Sequence, residues 1–435
     1  MTAAMPDASA KLDPYIAWRN HDYRLYAVSW FLVAFSKRVE TFAVAYFFAT
    51  IFPKGDAALA LGMLGLVQAL PVMLLAIAGG QIADRFDRRG IWLITCSLNL
   101  AASIALVVAA AWLQAPVLWI YALLAFMAVG TALGSPARSA WLPQIVEPEI
   151  FSNAMTWNVS MFHTASVTGP VVGGVILAIW GANPAPAFMV VAVCRLLAVL
   201  GLSQTRRREP TVSGEPVSWQ SVLAGIRFVR DTKLILATIT LDLFAVLLGG
   251  ATYLLPIYAK DILHVGAVGL GLLTSADAVG AIAMAVLLAH LPPMRRAGVT
   301  LLWAVSGFGV ATIVFGVSTW FWLSLAMMFV VGALDNISVV VRHTLVQMLT
   351  PDAMRGRVSA VNNVFIVASN DLGGLESGLT AWAFGAVASV VGGGIGTILV
   401  VLGVAYLWPQ VLGIGSLTSI RPAAIPDTEE LVGGV

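Results

Sequence analysis

Apolar residues in this chain come in long unbroken runs, set apart by short stretches where charge or proline gathers. A helix needs about 20 such residues to cross the hydrocarbon core of a bilayer. Twelve runs approach or exceed that length: 23–50, 59–83, 90–113, 117–140, 154–180, 186–204, 234–259, 266–290, 298–318, 320–342, 358–383 and 386–408. The breaks are faintest near Ser318–Thr319 and within the glycine-rich Gly392–Gly396. The pattern predicts an all-α integral membrane protein with 12 transmembrane helices in two pseudo-symmetric six-helix bundles. On this reading 1–22 is an N-terminal tail, 23–204 the first bundle, 205–233 a linker, 234–408 the second bundle and 409–435 a C-terminal tail.

Composition agrees. Of 435 residues, 59% are hydrophobic and 11% charged, and the mean hydropathy is +0.90. A soluble domain carries roughly 25% charged residues to keep its surface in water, so most of this surface has to face lipid. A net charge of +2 gives no reason to expect an acidic or nucleic-acid partner. Cys96 and Cys194 are isolated in apolar runs and make neither a disulfide framework nor a thiolate metal site. The start, Met1–Pro14, is polar, so no cleavable leader is expected and the first helix directs insertion. Of the 24 Lys and Arg, Lys37, Arg38 and Arg195 fall inside helices, and Lys54 and Lys260 in odd-numbered loops. The rest lie in the tails, the even-numbered loops and their helix edges, which places both termini in the cytoplasm. Arg206-Arg207-Arg208, ahead of an amphipathic piece around Trp219–Val229, reads either as a topology signal or as a lipid-headgroup site.

The two halves echo each other. Glu147-Pro148-Glu149 after the fourth run matches Thr350-Pro351-Asp352 after the tenth at an offset of 203, which Gln144 and Gln347 share. Arg138 and Arg342 agree within one residue. Two parallel halves with a substrate path between them is a known transporter plan.

The stretch Gly80-Gln-Ile-Ala-Asp84-Arg85-Phe-Asp-Arg88-Arg89 follows the second run. It resembles the signature G-x-x-x-D-R-x-G-R-R of the major facilitator superfamily, with Asp87 in place of the second glycine. Gly80 is expected to let helices approach closely, Asp84 to accept hydrogen bonds from free helix N–H groups, and Arg85, Arg88 and Arg89 to anchor the cytoplasmic face. The resemblance implies that this loop, through Asp84 and Arg88, latches the halves together in the outward-open state. Gly169-Pro170-Val-Val-Gly173-Gly174 in the fifth run resembles the G-P-x-x-G-G element of antiporters, with Ala165 where the fuller pattern has glycine. Packing alone also explains such residues; the functional reading is export. His21-Asp22-Tyr23-Arg24, Leu254-Leu-Pro-Ile-Tyr258, Gly269–Gly271 and Pro351-Asp-Ala-Met-Arg355-Gly356-Arg357-Val358-Ser359 make the chain similar to the enterobactin-exporter and macrolide-efflux branch, the transmembrane secretion effectors. The resemblance implies a bacterial inner-membrane exporter of siderophores, macrolides or other amphipathic compounds.

An ionisable group at bilayer depth costs several kcal/mol unless it faces a cavity or a partner. The first helix holds Lys37, Arg38 and Glu40, with Lys37 about 20 Å along from Tyr23. Lys37 and Glu40, three apart, pair on one face; Arg38 needs a partner of its own. The second half holds Asp242, Asp277, Asp335, Asp371 and Glu376, with Arg342 as the one basic residue, at a span edge. Such acids either form bridges between the halves that protonation releases, bind a cationic substrate or metal ion, or sit near helix ends. Asp242, about 12 Å into the seventh helix, is the first choice for proton coupling, because desolvation favours a neutral carboxyl; Glu40 is second. His163 is a packing residue or a ligand. Asn362 and Asn370, eight apart, are expected near one face of the eleventh helix. Trp30, Trp157 and Trp303 line an aromatic pocket or belong to the interfacial belt.

No nucleophile–base constellation, phosphate loop or metal-ligand spacing appears, so no enzyme activity, cofactor or resident metal is expected. The expectation is a proton-coupled efflux antiporter for a small siderophore-like or drug-like molecule, acting as a monomer. A divalent-metal exporter is the alternative, and a non-transporting receptor on a transporter fold the more distant one. The topology is checked with reporter fusions: a fluorescent protein is bright at either terminus and periplasmic alkaline phosphatase inactive at both, whereas reporters placing the termini on opposite sides contradict the twelve-span reading.

Overall fold

The computed structural model describes residues 13–111, 116–181, 183–206, 219–292, 294–351 and 354–416. Arg207, Arg208, Asp352, Ala353 and most of the C-terminal tail lie outside these, so expectations placed on them stay with the sequence. All regular structure among the described residues is helical: α1 (His21–Ile51), α2 (Lys54–Arg85), α3 (Arg88–Ala111), α4 (Val117–Ile145), α5 (Phe151–Trp180), α6 (Ala185–Ser203), α7 (Trp219–Asp231), α8 (Lys233–Leu248), α9 (Ala251–Ile257), α10 (Gly266–His290), α11 (Ala297–Val317), α12 (Phe321–Leu349), α13 (Arg355–Phe384) and α14 (Ala386–Leu407). Asn20 caps α1, its side chain accepting from the Tyr23 N–H at 3.1 Å, which satisfies a donor that the first turn leaves free.

Among the described residues, ten spans are long and apolar enough to cross a membrane. The other two long helices, α1 and α13, have 31 and 30 residues but carry the charges discussed above. Several helices overshoot the apolar runs, because polar residues at the ends continue the backbone ladder: α4 reaches Ile145 and α12 reaches Leu349. The seventh run is not one continuous helix. It breaks at Gly249-Gly250, resumes as α9 and ends in a π turn over Tyr258–Ile262. Glycine is a poor helix former, and here there is a packing reason for it: a side chain at Gly250 would come within 2.8 Å of the Gly373 carbonyl. The Tyr258 hydroxyl donates to the Gly316 carbonyl at 2.9 Å and fixes the segment past the break.

Within the first half α1 packs on α5 and α6, α2 on α4, and α3 on α4 and α6; in the second, α10 packs on α12, α11 on α12 and α14, and α8 on α13 and α14. The halves meet where α2 lies on α13 and α5 on α10. Small residues make this possible. Side chains at Gly62, Gly174 and Gly271 would come within 3.1 Å of the carbonyls of Gly374, Ala267 and Pro170 respectively. Ser275 Oγ donates to the Val167 carbonyl at 2.7 Å, and Lys260 Nζ to the Ala49 carbonyl at 2.5 Å. All these contacts lie between mid-bundle and the end that holds the α1–α2 loop, the far end. The opposite end carries the start of α1 and the Gly80–Arg89 loop and is the basic end.

The apolar cores follow the same division. One cluster joins both halves, with Phe42, Phe48 and Leu61 beside Leu254, Leu270 and Phe315. Toward the basic end the clusters separate: Tyr23, Tyr26, Trp92 and Trp141 in the first half, and Phe228, Ile235, Val346 and Val358 in the second.

One ion-pair network holds the interior of the first half. Glu40 is fully buried on α1, its Oε1 3.0 Å from Lys37 Nζ and its Oε2 2.7 Å from Arg195 Nη2 on α6. Arg195 also donates to the Asn99 carbonyl at 3.2 Å and to Ser103 Oγ, which ties α1, α3 and α6 together. Lys37 reaches further, to Gln68 Oε1 on α2 at 2.7 Å. Replacing Glu40 with Gln leaves the buried Arg195 guanidinium without its counter-charge, a loss of about 3–5 kcal/mol for breaking one side of a buried pair. Thermal unfolding of the purified variant then moves down by several degrees, whereas an unchanged midpoint means that the pair holds nothing together.

Candidate functional site

Arg38 is exposed although it stands near the middle of α1. A guanidinium at that depth cannot face hydrocarbon cheaply, so it marks an opening between the helices. On α5 the exposed residues Ser152, Thr156, Ser160 and Thr164 recur every fourth position, which aligns them on one side. The hydroxyls of Thr156, Ser160, Thr164 and Thr168 each donate to the carbonyl four residues back, at 2.7–2.9 Å. On α4, Thr131, Ser135 and Ser139 repeat the pattern. The α5 row starts at the basic end and stops at Gly169-Pro170, where α5 meets α10.

Above this row runs a ladder of rings and cations. The Arg38 guanidinium lies 5.2 Å from the Phe162 ring centre, Phe162 stacks on Trp30 at 6.5 Å, and the Arg138 guanidinium lies 3.7 Å from the Trp30 ring. His163 meets Phe162 edge-on at 5.8 Å and is half-buried. The three tryptophans do not form one pocket. Trp30 belongs to the ladder, Trp157 packs on Tyr15 and Trp18 at the basic end, and Trp303 is largely exposed on the periphery of α11.

Facing Arg38 from the second half are acids. Asp277 on α10 lies within electrostatic reach of Arg38, and Asp335 on α12 within reach of Asp277. Neither makes an ion pair or hydrogen bond to another described residue. Asp371 accepts from the Tyr253 hydroxyl at 2.9 Å and lies within electrostatic reach of Lys37. The structure thus brings Lys37, Arg38, Asp277 and Asp371 to one seam between the halves, with Asp335 behind Asp277 inside the second half.

Other expected residues are placed differently. Asp242, the first choice as a lone acid, is buried and ion-paired with Arg342 of α12; α12 runs beyond the expected span edge and brings Arg342 inside. Glu40 is likewise engaged by two cations. Glu376 is satisfied on its own helix, with Thr380 Oγ1 donating to Oε1 at 2.7 Å. Asn362 is buried and Asn370 exposed, because eight residues at 3.6 per turn leave them about 80° apart around α13.

In the Gly80–Arg89 loop, Gly80 has open space around it, and Gly79 is the close contact, with the Ala132 carbonyl 2.5 Å from where a side chain would begin. One residue on a helix is a rotation of about 100°, enough to exchange these roles. Asp87 Oδ1 accepts from the Arg89 N–H at 3.1 Å at the start of α3, so a side-chain cap replaces the missing glycine turn. Arg88 Nη1 donates to the Ala140 carbonyl at 3.0 Å, and Arg89 donates to the Leu202 and Ser203 carbonyls at 3.1 and 2.8 Å. Both satisfy carbonyls near the ends of helices, where a cation is favoured. Asp84 stands 3.9 Å from Arg88 within the same half, and Arg85 is exposed. In the helix-five element, Gly169 meets Arg38 Cβ, Gly173 meets the Phe42 ring and Gly174 meets Ala267, so Pro170 and its glycines seat α5 between α1 and α10.

Sequence reasoning missed Arg195 as the partner of Glu40, Tyr253 on Asp371, and the hydroxyl row on α5. A signal for the last was present, since Ser152, Thr156, Ser160, Thr164 and Thr168 fall at an interval of four.

Comparisons with known proteins add an independent line. The enterobactin exporter EntS of Citrobacter koseri is 28% identical over 355 residues, 81% of this chain and 82% of that protein. Its Escherichia coli counterpart is 26% identical over 334 residues, 76% of this chain and 78% of that one. Among solved structures, a bacterial homologue of the human lysosomal transporter Spinster, inward-facing and unoccupied, superposes with a TM-score of 0.68 at 14% identity, covering 90% of this chain and 98% of that one. A D-xylose–proton symporter superposes with a TM-score of 0.66 at 14% identity, over 91% of this chain and 98% of that one. The model of the transmembrane secretion effectors matches residues 16–414, and the chain therefore belongs to that family of major facilitator transporters.

Proposed function

We propose that this chain is a proton-coupled exporter of a siderophore-like amphipathic molecule, working by alternating access in a bacterial inner membrane and open here toward the cytoplasm. The observation that carries the reading is the exposed Arg38 at mid-depth, with a row of hydroxyls leading from it to the basic end, beneath a far end sealed by one shared core. A path open on one side only is what an alternating gate requires. The excess of Lys and Arg at the basic end supports a cytoplasmic position for that end. The Asp84–Arg89 loop, engaged within its own half, fits a latch that closes only when the basic ends come together.

The substrate class follows from the enterobactin exporters among the relatives and from the walls of the path. Rings and guanidiniums on α1, α4 and α5 suit a partly aromatic molecule that carries acidic groups or acceptors; a drug-like amphiphile is the second candidate. Divalent-metal export has less behind it. Arginines occupy Glu40 and Asp242, and among the described residues no three His, Cys, Asp or Glu converge on a point. Coupling rests on the acids at and behind the seam that make no ion pair with another described residue, Asp277 and Asp335, which a proton neutralises when no substrate group does. One copy of the chain holds a whole path, so a monomer suffices.

The test is enterobactin uptake into inside-out vesicles that contain the purified chain. An acidic interior drives accumulation and a protonophore abolishes it. Accumulation that ignores the pH gradient contradicts coupling, and no accumulation of enterobactin under any gradient removes it as substrate.

A further inference from the structure

A small cavity between α8, α11 and α12 is lined by Asp242, Val246, Phe308, Leu334, Asp335 and Ser338. Arg342 ion-pairs with Asp242. Asp335, Ser338 and Arg342 recur at intervals of three and four on α12, which puts them on one face. Asp335 and Arg342 are about 10 Å apart along the axis, with the Ser338 hydroxyl between them. The cavity wall therefore presents two carboxylates, one of them paired with a guanidinium that stands two turns along α12 from the other.

The internal repeat shows what is particular to this site. Arg138 and Arg342 hold the same place in α4 and α12, each 21 residues past the helix start. Counted the same way, Asp335 of α12 corresponds to Thr131 of α4, and Asp242 of α8 to Trp30 of α1. The first-half arginine lies over the Trp30 ring and donates to the Tyr26 hydroxyl, with Thr131 two turns back on its own helix, and none of these exchanges a proton near neutral pH. Around the second-half arginine stand two acids. The surroundings offer little to balance the second acid. The helix α11 has no ionisable residue, α14 brings only Tyr406, exposed at its end, and α10 brings Asp277, itself an acid. On α13, Asp371 and Glu376 are engaged by Tyr253 and Thr380, while Arg355 and Arg357 at the start of α13, Lys233 on α8, His290 at the end of α10 and His343 on α12 are all exposed. Two carboxylates and one guanidinium away from bulk water are neutral only with one proton added, and neutrality is strongly favoured there.

We propose that Asp242, Arg342 and Asp335 form a one-proton exchange site, in which the guanidinium and the proton trade places between the two carboxylates. With Arg342 on Asp242, as in this structure, the proton is on Asp335. When Arg342 swings to Asp335, that proton passes to Asp242 and the trio stays neutral through the swing; the proton leaves to, and is replaced from, whichever side the site faces. This rests on the proton-coupled reading above and adds to it the groups and the stoichiometry. The movement of Arg342 along α12 is what links proton transfer to the packing of α8 on α12.

Infrared difference spectroscopy of the full chain in lipid, between alkaline and acidic buffer, reads protonated carboxyl groups without any substrate. With Asp277→Asn as the background, to remove that acid's own band, Asp335→Asn and Asp242→Asn are each expected to remove the same buried-carboxyl signal, because either leaves a neutral acid–arginine pair with no proton to hold. Arg342→Gln is expected to double that signal. In vesicles Asp335→Asn lowers gradient-driven enterobactin transport about tenfold or more, while exchange across equal pH remains measurable. A signal that persists in either acid variant overturns the proposal; should those variants fail to fold, an unchanged signal in Arg342→Gln overturns it equally. If wild-type protein shows the signal pattern but moves no enterobactin, the site stands and the substrate reading falls.

Discussion

A charge in the middle of a bilayer has to face either water or an opposite charge, and nearly every feature of this molecule follows from how that demand is met. Glu40 meets it with two cations and in doing so ties α1 to α6. Asp242 meets it with Arg342, and Asp371 with the Tyr253 hydroxyl. Arg38 has no such partner in contact and is instead exposed. The solvated path between the halves is thus defined by the one guanidinium at mid-depth of α1 that the packing leaves open.

The same molecule is sealed at one end by residues chosen for their lack of side chain. Gly62, Gly174, Gly271 and Gly378 let helix backbones from opposite halves touch, and the apolar residues around them merge into one core. At the basic end each half keeps its own core, so the halves can separate there without exposing a shared interior. The helix-five element belongs to both regimes: its glycines seat α5 against α1 and α10 just where the hydroxyl row stops.

Much of this was legible in the sequence, because bilayer thickness imposes a length that hydropathy reports directly. The apolar runs located the long helices, with ends short by five residues at α4 and seven at α12, and the Gly80–Arg89 stretch and the helix-five element pointed to the family. What could not be read was pairing across distant segments. Glu40 and Arg195 are 155 residues apart, and nothing local joins Asp242 to Arg342. Lone acids in sequence became partners in space, and the carboxylates left over were those ranked lower. Gly249-Gly250 was likewise indistinguishable from other helical glycines until the Gly373 backbone was seen against it. The hydroxyl row went unread for a different reason: Ser and Thr are ordinary in membrane helices, and only their shared exposure on α5 distinguishes them.

The central claim is a path open at the basic end and closed at the far end, and site-directed labelling tests it most directly. In a chain with Cys96 and Cys194 replaced, single cysteines at Thr156, Ser160 and Thr164 are exposed to a membrane-impermeant maleimide from one side at a time. The account predicts labelling from the cytoplasmic side and protection from the periplasmic side in the absence of substrate and gradient. Labelling from the periplasmic side alone, or from neither side, contradicts it.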